Sequence, residues 1–379
     1  MKVRAAVLRR SGLAHPYAES HPLSIETVNL SAPGSGEVLV RILAAGLCHS
    51  DLSVIDGVRP RPLPMVLGHE AAGEVVELGE GVEGLAAGDR VVFTFVPVCG
   101  HCQPCATGRP ALCEPGAAAN AAGGLLGGGG RWTDVEGNLL RHHLGVSAFA
   151  EYVVASALSV IKIDCELAPE IAALFGCAVL TGVGAVVNTA KVATGESVAI
   201  FGLGGVGLSA VLGALCSGAY PVVAVDVLPE RLALALALGA HHVLDARSPE
   251  LVEALREITH GGVHYAIESV GNEAVLAQAY AGTRRGGTTV SVGLPPPDRH
   301  LTIPVVSLVG EERTIKGSYM GSAVPSRDLP RFIALYRAGL LPVDRLLTHR
   351  LRFEDLNDGF DRLARGEAVR QVVVFDRLT

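Results

Sequence analysis

Basic charge is in short supply in this 379-residue chain: 31 Lys and Arg stand against 38 Asp and Glu, a formal net charge of −7. Phosphate contacts need a basic surface, so a nucleic-acid partner is not expected. No positively charged segment followed by a short apolar run opens the chain, so no secretory signal is read and a cytoplasmic location is expected. The apolar stretches read as too short, or too broken by glycine, to span a bilayer, which sets aside a membrane partner. No repeat recurs at a solenoid period. Charged residues make up only 18% of the chain and hydrophobic ones 49%, a balance that excludes disorder and fits a compact fold. Cysteine is scarce too, at eight residues. Cys48, Cys165, Cys177 and Cys216 are scattered, while Cys99, Cys102, Cys105 and Cys113 crowd together. In a reducing compartment, clustered cysteines in a long chain point to metal rather than to a disulfide framework.

Glycine is abundant, at 46 residues, and brings many tight turns. The length allows two domains, each with its own core. Early in the chain, short β-prone runs (Val3 to Val7, Leu23 to Val28, Val38 to Ile42, Glu74 to Leu78, Arg90 to Phe95) are parted by turns such as Ala32-Pro33-Gly34-Ser35-Gly36. That pattern predicts a β-rich, barrel-like domain. Pro115 to Arg131 is nearly all Ala, Gly and Leu and is expected to form a surface loop. From about Thr181, strands alternate with helical stretches: Ser197 to Phe201, a helix to Ser217, Pro221 to Val227, a helix over Pro229 to Leu238. His241 to Leu244, Val263 to Ile267 and Thr288 to Val292 continue the series. Such alternation indicates a parallel, doubly wound sheet. The expected organisation is α/β, with a nucleotide-binding domain of residues 179–321 inserted into a domain of residues 1–178 and 322–379.

Gly202-Leu203-Gly204-Gly205-Val206-Gly207 follows the strand ending at Phe201 and opens a helix. Gly202 permits the turn, Gly204 lets backbone approach a pyrophosphate, and Gly207 lets the helix pack on the strand. The helix N-terminus, entered through Gly205 and Val206, meets the phosphate charge. Alone the fingerprint is weak, since a glycine-rich loop without a ligand has the same letters. Asp226, 19 residues past Gly207 at the end of the next strand, stands where an acid meets the adenosine ribose. A negative charge there would repel a 2′-phosphate, which favours NAD over NADP.

The clustered cysteines have the form C-x2-C-x2-C-x7-C. Four thiolates saturate a tetrahedral zinc, so this reads as a structural site, with an iron–sulfur cluster as the alternative. Gly68-His69-Glu70 ends a Pro-rich turn and begins a strand, with Cys48 upstream and Cys177 far downstream. A Cys2His set would leave the fourth zinc position open. Taken singly, Cys48 and Cys177 could be buried thiols and His69 a satisfied core histidine. Spacing alone does not bring Cys177 to the others.

Cys48-His49-Ser50-Asp51, then Gly68-His69-Glu70-Ala71-Ala72-Gly73 with Gly79 and Val82, then Phe175-Gly176-Cys177-Ala178-Val179-Leu180-Thr181-Gly182 and Gly202 to Gly207, stand in this order. Together they resemble the zinc-dependent medium-chain alcohol dehydrogenase family over essentially the full length. The resemblance implies a GroES-like catalytic domain, a structural-zinc lobe at about 97–115, and a Rossmann domain for NAD. It implies two zinc ions per chain: a catalytic one held by Cys48, His69 and Cys177, and a structural one held by Cys99, Cys102, Cys105 and Cys113. The catalytic zinc would bind the substrate oxygen and lower the alcohol's pKa, and the alkoxide would pass a hydride to the nicotinamide.

By the same resemblance, Ser50 matches the hydroxyl that relays the alcohol proton, and Asp51 the carboxylate that orients the zinc histidine. Glu70 matches an acid behind the zinc that assists ligand exchange; a solvated acid is its plain alternative. His49 and Arg370 match residues that bracket the pyrophosphate, Arg231 a basic residue beside the ribose, Thr181 and Val292 nicotinamide neighbours. Each of these could be an ordinary surface charge or core residue. Phe95, His143, Leu144, Leu294 and Tyr319 fall where the family lines its substrate pocket, His143 being a polar ring where apolar ones are common. The relay departs from the pattern: the histidine often found three residues past Ser50 is here Ser53. A serine hydroxyl is no base near neutral pH, which leaves water, His49 or His143.

The implied activity is oxidation of a primary or secondary alcohol to aldehyde or ketone with NAD. A thiol-adduct (S-hydroxymethyl) formaldehyde dehydrogenase shares the motifs but needs basic residues at the pocket mouth. Pro115 to Gly130 carries no Lys or Arg, while Arg59, Arg61 and Arg131 keep that alternative open. A non-catalytic nucleotide-binding protein would predict decay of the Cys48, His69, Cys177 set, which is intact. Relatives with a long segment after the four-Cys lobe, as here between Cys113 and Ser147, are often dimers, so a homodimer is expected by analogy.

Overall fold

A computed structural model describes residues 1–163 and 166–375 of the chain; Cys165 lies outside the described residues. Two compact units emerge: Met1–Cys177 with Val324–Pro330 and the chain from Leu347 on, and Ala178–Ala323 with Arg331–Leu346. Residues 331–346, expected in the first unit, thus fall in the second, where Arg345 donates to the Ala237 carbonyl at 2.7 Å.

In the first unit, the β-prone runs form strands close to where their composition and the turns between them place them. Lys2–Leu8 and Leu23–Leu30 pair antiparallel and close a small barrel with Trp132–Thr133, Leu139–His142 and Met65–Val66. The long strand Glu37–Leu47 crosses a second sheet, flanked by Glu70–Leu78 on one side and Arg370–Val374 on the other. Val3, Val7, Val40, Ile42, Phe93 and Phe149 belong to the apolar core. Register decides what meets at the sheet's end: Gly46 lies opposite Glu70, and Leu47 opposite Gln371. Cys48, His69 and Arg370 are therefore delivered side by side by three adjacent strands.

The second unit carries a six-stranded parallel sheet. Val198–Phe201 lies inside it, with Val222–Asp226 and His242–Asp245 to one side and Val263–Glu268, Thr283–Ser291 and Thr314–Gly317 to the other. Helices Gly205–Cys216, Pro229–Leu238, Leu251–Ile258 and Glu273–Gly282 alternate with the strands. The strand order reverses beside Val198–Phe201, the switch point where doubly wound sheets place ligands.

Two expectations are corrected. Glu114–Ala122, inside the segment expected as a loop, is a helix: Pro stands in its first turn, and the Cys113 sulfur accepts from Gly116 N. Its alanines favour a helix more strongly than composition at large suggested. Likewise one apolar stretch among the described residues is long enough to cross a membrane: the helical run Pro169–Ala190 spans 22 residues, but 89% of its most apolar window is buried. It is hydrophobic because it is a core helix.

Candidate active site

At the sheet end of the first unit, Cys48 follows the strand Glu37–Leu47 and His69 precedes Glu70–Leu78. Cys177 comes from a π-type turn, Phe175–Val179, a local widening common at functional sites. The three ligand atoms lie within 4.8 Å of one another, and all three residues are buried. The fold thus brings Cys177 to the other two, which spacing alone left open. The donor set fits a zinc ion, whose sulfur ligands at about 2.3 Å stand ~3.8 Å apart in a tetrahedron. The mutual hydrogen bond of the sulfurs is the largest influence on both: it holds the Cys48 thiol well below its ordinary pKa and Cys177 well above it. Two adjacent thiolates cannot both ionise unless a cation joins them.

Asp51, fully buried in the helix His49–Ile55, accepts from Gly68 N at 3.1 Å. Its two oxygens lie 3.0 Å from His69 Nδ1 and 3.0 Å from His143 Nδ1. Burial works against its charge, yet the His69 ring and the close His143 Nδ1 outweigh it and hold the carboxyl well below the usual range. With Nδ1 of His69 on Asp51, Nε2 remains for a metal. Burial lowers the pKa of His143, against the pull of Asp51, and so favours its neutral, donating ring.

Glu70 is not the solvated acid that was its alternative. It is buried and ion-paired with Arg370, itself 4% exposed. Burial pushes Glu70 up to about 7, against the lowering charge of Arg370. Gly46 makes room for this pair, since a Cβ there would stand 2.8 Å from the Glu70 carboxyl carbon and 3.1 Å from Arg370 Nη2. Pairing of Glu70 with Arg370 was not legible in sequence; the cross-strand register is what creates it. His49 is exposed and Ser50 half-buried in the first turn of their helix.

The sulfurs of Cys99, Cys102, Cys105 and Cys113 also lie within 4.8 Å of one another. Backbone N–H groups point at them: Cys99 N and Gly116 N at Cys113 Sγ, 3.3 and 3.4 Å, and Cys102 N at Cys99 Sγ, 3.3 Å. All four are free of disulfides. This closed set fits a four-coordinate zinc.

In the second unit, Gly202 has φ of 87°, and a Cβ would stand 2.5 Å from the Val270 side chain. Gly204, capping the helix Gly205–Cys216, has open space where a Cβ would point, with nothing within 4 Å, the free approach a pyrophosphate requires. Val206 and Gly207 lie in the first turn of that helix. Asp226 ends its strand and accepts from Leu203 N at 2.6 Å and Leu228 N at 3.0 Å. A carboxylate has about four lone-pair sites, so ribose hydroxyls can still be accepted. Arg231 is buried, reaches the Leu203 carbonyl at 3.4 Å and feels the Asp226 charge.

Of the expected pocket residues, three belong to the first unit. Phe95 packs edge-on to His69 at 5.8 Å, Leu144 is buried with φ of 52°, and His143 is buried against Asp51. Leu294 and Tyr319 belong to the second unit and are 53% and 38% exposed; Thr181 there is buried and Val292 half-buried. Arg59 and Arg61 are half-buried, and Arg61 reaches the Asn120 carbonyl. Arg131 clasps Glu37 at 2.6 and 3.1 Å.

Comparison with known proteins finds similar sequences and folds. The family model for the alcohol dehydrogenase GroES-like domain matches residues 34–165, and that for zinc-binding dehydrogenases matches residues 205–338. The chain is 40% identical over 377 residues to geraniol dehydrogenase of Castellaniella defragrans, covering 99% of this chain and 98% of that one. It superposes on benzyl alcohol dehydrogenase from Acinetobacter calcoaceticus with a TM-score of 0.90 and 32% identity, covering 99% and 100% of the two chains. A structure from Sinorhizobium meliloti 1021, described as a zinc-binding dehydrogenase bound to NADP, aligns with a TM-score of 0.81 at 26% identity over 99% and 100%.

Proposed function

Because the chain belongs to the zinc-dependent medium-chain alcohol dehydrogenase family, we propose that it is a cytoplasmic enzyme oxidising a primary or secondary alcohol with NAD. The convergence of Cys48, His69 and Cys177 in one buried cluster carries this reading. When bound, zinc supplies a Lewis acid that acidifies an alcohol, and nicotinamide accepts the hydride. Cys48, His69 and Cys177 would hold that zinc, and Cys99, Cys102, Cys105 and Cys113 the structural one. Asp51 fixes the ring of His69. Ser50 would relay the alcohol proton, its Oγ accepting that proton as its own hydroxyl proton passes on to water. Ser53 is not the next base, for its hydroxyl donates to the His49 carbonyl at 2.8 Å.

Phe95 presents an apolar ring edge-on to His69, which suits the unsaturated or aromatic alcohols in the names of the two relatives. The open approach over Gly204 and the charge of Asp226 support NAD, whereas an NADP-bound relative makes the discrimination worth measuring. The thiol-adduct alternative is weakened because Arg131 is spent on Glu37. A homodimer is the proposed assembly: Thr314–Gly317 ends the parallel sheet, and Val305, Val306 and Val309 nearby in sequence are 71%, 80% and 75% exposed. The test is a panel of alcohols, with free formaldehyde plus thiol as a separate arm, run with NAD and with NADP on zinc-loaded protein. Turnover of the thiol adduct alone, or of no alcohol with either cofactor, defeats the proposal.

A further inference from the structure

We infer that His143 is a positioning residue for the zinc histidine, acting through Asp51, rather than a wall of the substrate pocket. The inference rests on the reading of Cys48, His69 and Cys177 as a metal site. His143 is 2% exposed, and its ring stands edge-on to that of His69 at 5.5 Å and 89°. Its Nδ1 is 3.0 Å from Asp51 Oδ1, while the other oxygen, Oδ2, is 3.0 Å from His69 Nδ1. Both are close contacts that do not have hydrogen-bond geometry. Such contacts commonly tighten once a site is loaded.

The backbone shows that this placement is built. Leu144, Gly145 and Ser147 all have positive φ, 52°, 66° and 61°, a conformation that costs energy at the two non-glycine positions. The turn is closed by His143 N donating to Ser147 Oγ at 2.9 Å and by Val146 N donating to the His143 carbonyl at 3.0 Å. It is then tied to the segment that carries His69: Ala148 N donates to the Gly68 carbonyl and Phe149 N to the Leu67 carbonyl, both at 3.0 Å. Gly68 N in turn donates to Asp51 Oδ1. His143, its turn, Gly68 and Asp51 therefore form one closed circuit. A carboxylate held only by His69 could rotate about its own bond; one whose Oδ1 is held by Gly68 and His143 presents Oδ2 to His69 in a fixed direction. That fixes the imidazole plane, and with it the direction of Nε2.

The test compares His143→Phe, which keeps an aromatic ring and removes the N–H, with His143→Asn, which restores a donor near the Nδ1 position. Zinc loss to a chelator is followed separately for the two sites, and the cobalt-substituted protein supplies a visible spectrum of the three-ligand site. His143→Phe should release metal from Cys48, His69 and Cys177 about tenfold faster and shift the cobalt bands, the lower end of what outer partners of a metal histidine control. The Cys99–Cys113 metal should be unaffected in both variants, which certifies the fold. His143→Asn should recover most of the retention, and in an Asp51→Asn background His143→Phe should add nothing. Release at the wild-type rate in His143→Phe, equal loss in both variants, or additivity with Asp51→Asn overturns the inference. Wild type that takes up no metal at the three-ligand site would instead overturn the reading beneath it.

Discussion

The two proposed metal-ligand sets of the first unit are made in opposite ways. Cys99, Cys102, Cys105 and Cys113 come from one short stretch, lie mostly half-exposed, and are supported by backbone N–H groups. Cys48, His69 and Cys177 come from three distant stretches, are buried, and are surrounded by charged side chains, Asp51, Glu70 and Arg370. Backbone donors stabilise thiolates wherever the local turns form, and they suit a site that only has to stay closed. Charged neighbours hold ligands in place and tune them, but they exist only when the sheet has assembled in register. The difference separates a staple from a centre that can do chemistry, and substitutions should separate them too.

The sharpest division is expected from Cys177→Ala. Turnover should fall to background, while elemental analysis should still find one zinc per chain, against two in the wild type. A wild type that is active with a single zinc would break the comparison outright. Cys113→Ala should do the reverse. It removes a buried ligand and the cap of the helix Glu114–Ala122, so the lobe loses its folding energy with its metal. A stability loss of about 4 kcal/mol or more is expected in chemical denaturation, with the three-ligand site still loaded in the chains that remain folded. Unchanged stability in the zinc-depleted variant would show that the cluster is not a staple.

The same contrast explains what the sequence allowed. The four-Cys set, the glycine fingerprint and Asp226 depend on residues close in the chain, and period and spacing sufficed to single them out as candidates. The strand Lys2–Leu8 was legible as Val3 to Val7 because it is a short β-prone run, and it is buried almost throughout. The helix Glu114–Ala122 was missed because the glycines after it dominated the composition. The partnership of Asp51 with His143, and of Glu70 with Arg370, was illegible because each joins stretches far apart in the chain that meet only once the unit has folded. His143 did stand out as a polar ring among expected apolar ones. A buried histidine with no local partner was the signal that a distant carboxylate awaited it.

A smaller effect is expected in the second unit, at a site that is local like the four-Cys set but is proposed to bind the cofactor. Asp226 should give NAD an advantage over NADP of at least roughly tenfold, about 1.4 kcal/mol. Asp226→Ser should narrow that gap, because it removes the charge that opposes a 2′-phosphate. The variant also gives up acceptors for Leu203 N and Leu228 N, so kcat/KM for NAD should fall as well. Equal use of both cofactors by the wild type, measured as kcat/KM, would overturn the assignment.

The smallest effect is expected within the catalytic region itself, at Ser53. Ser50 and Ser53 share the helix His49–Ile55 and look interchangeable on paper. The structure distinguishes Ser53 by its partner: its hydroxyl donates back to the His49 carbonyl at 2.8 Å, one helical turn earlier. Such a back-bond occupies the proton that a relay would have to move, and deleting it from a half-buried helix position costs about 0.5–1 kcal/mol of stability at most. Ser53→Ala should therefore leave kcat for alcohol oxidation within about twofold of wild type, with the pH–rate profile unmoved. Ser50→Ala should lower kcat by about 100-fold or more, the range expected when a positioned proton-transfer group is removed. The decisive comparison is kcat across pH for the wild type and both variants. If Ser53→Ala proved the damaging change and Ser50→Ala the mild one, the proton would leave along Ser53, and the division between a working serine and a merely helical one would be reversed.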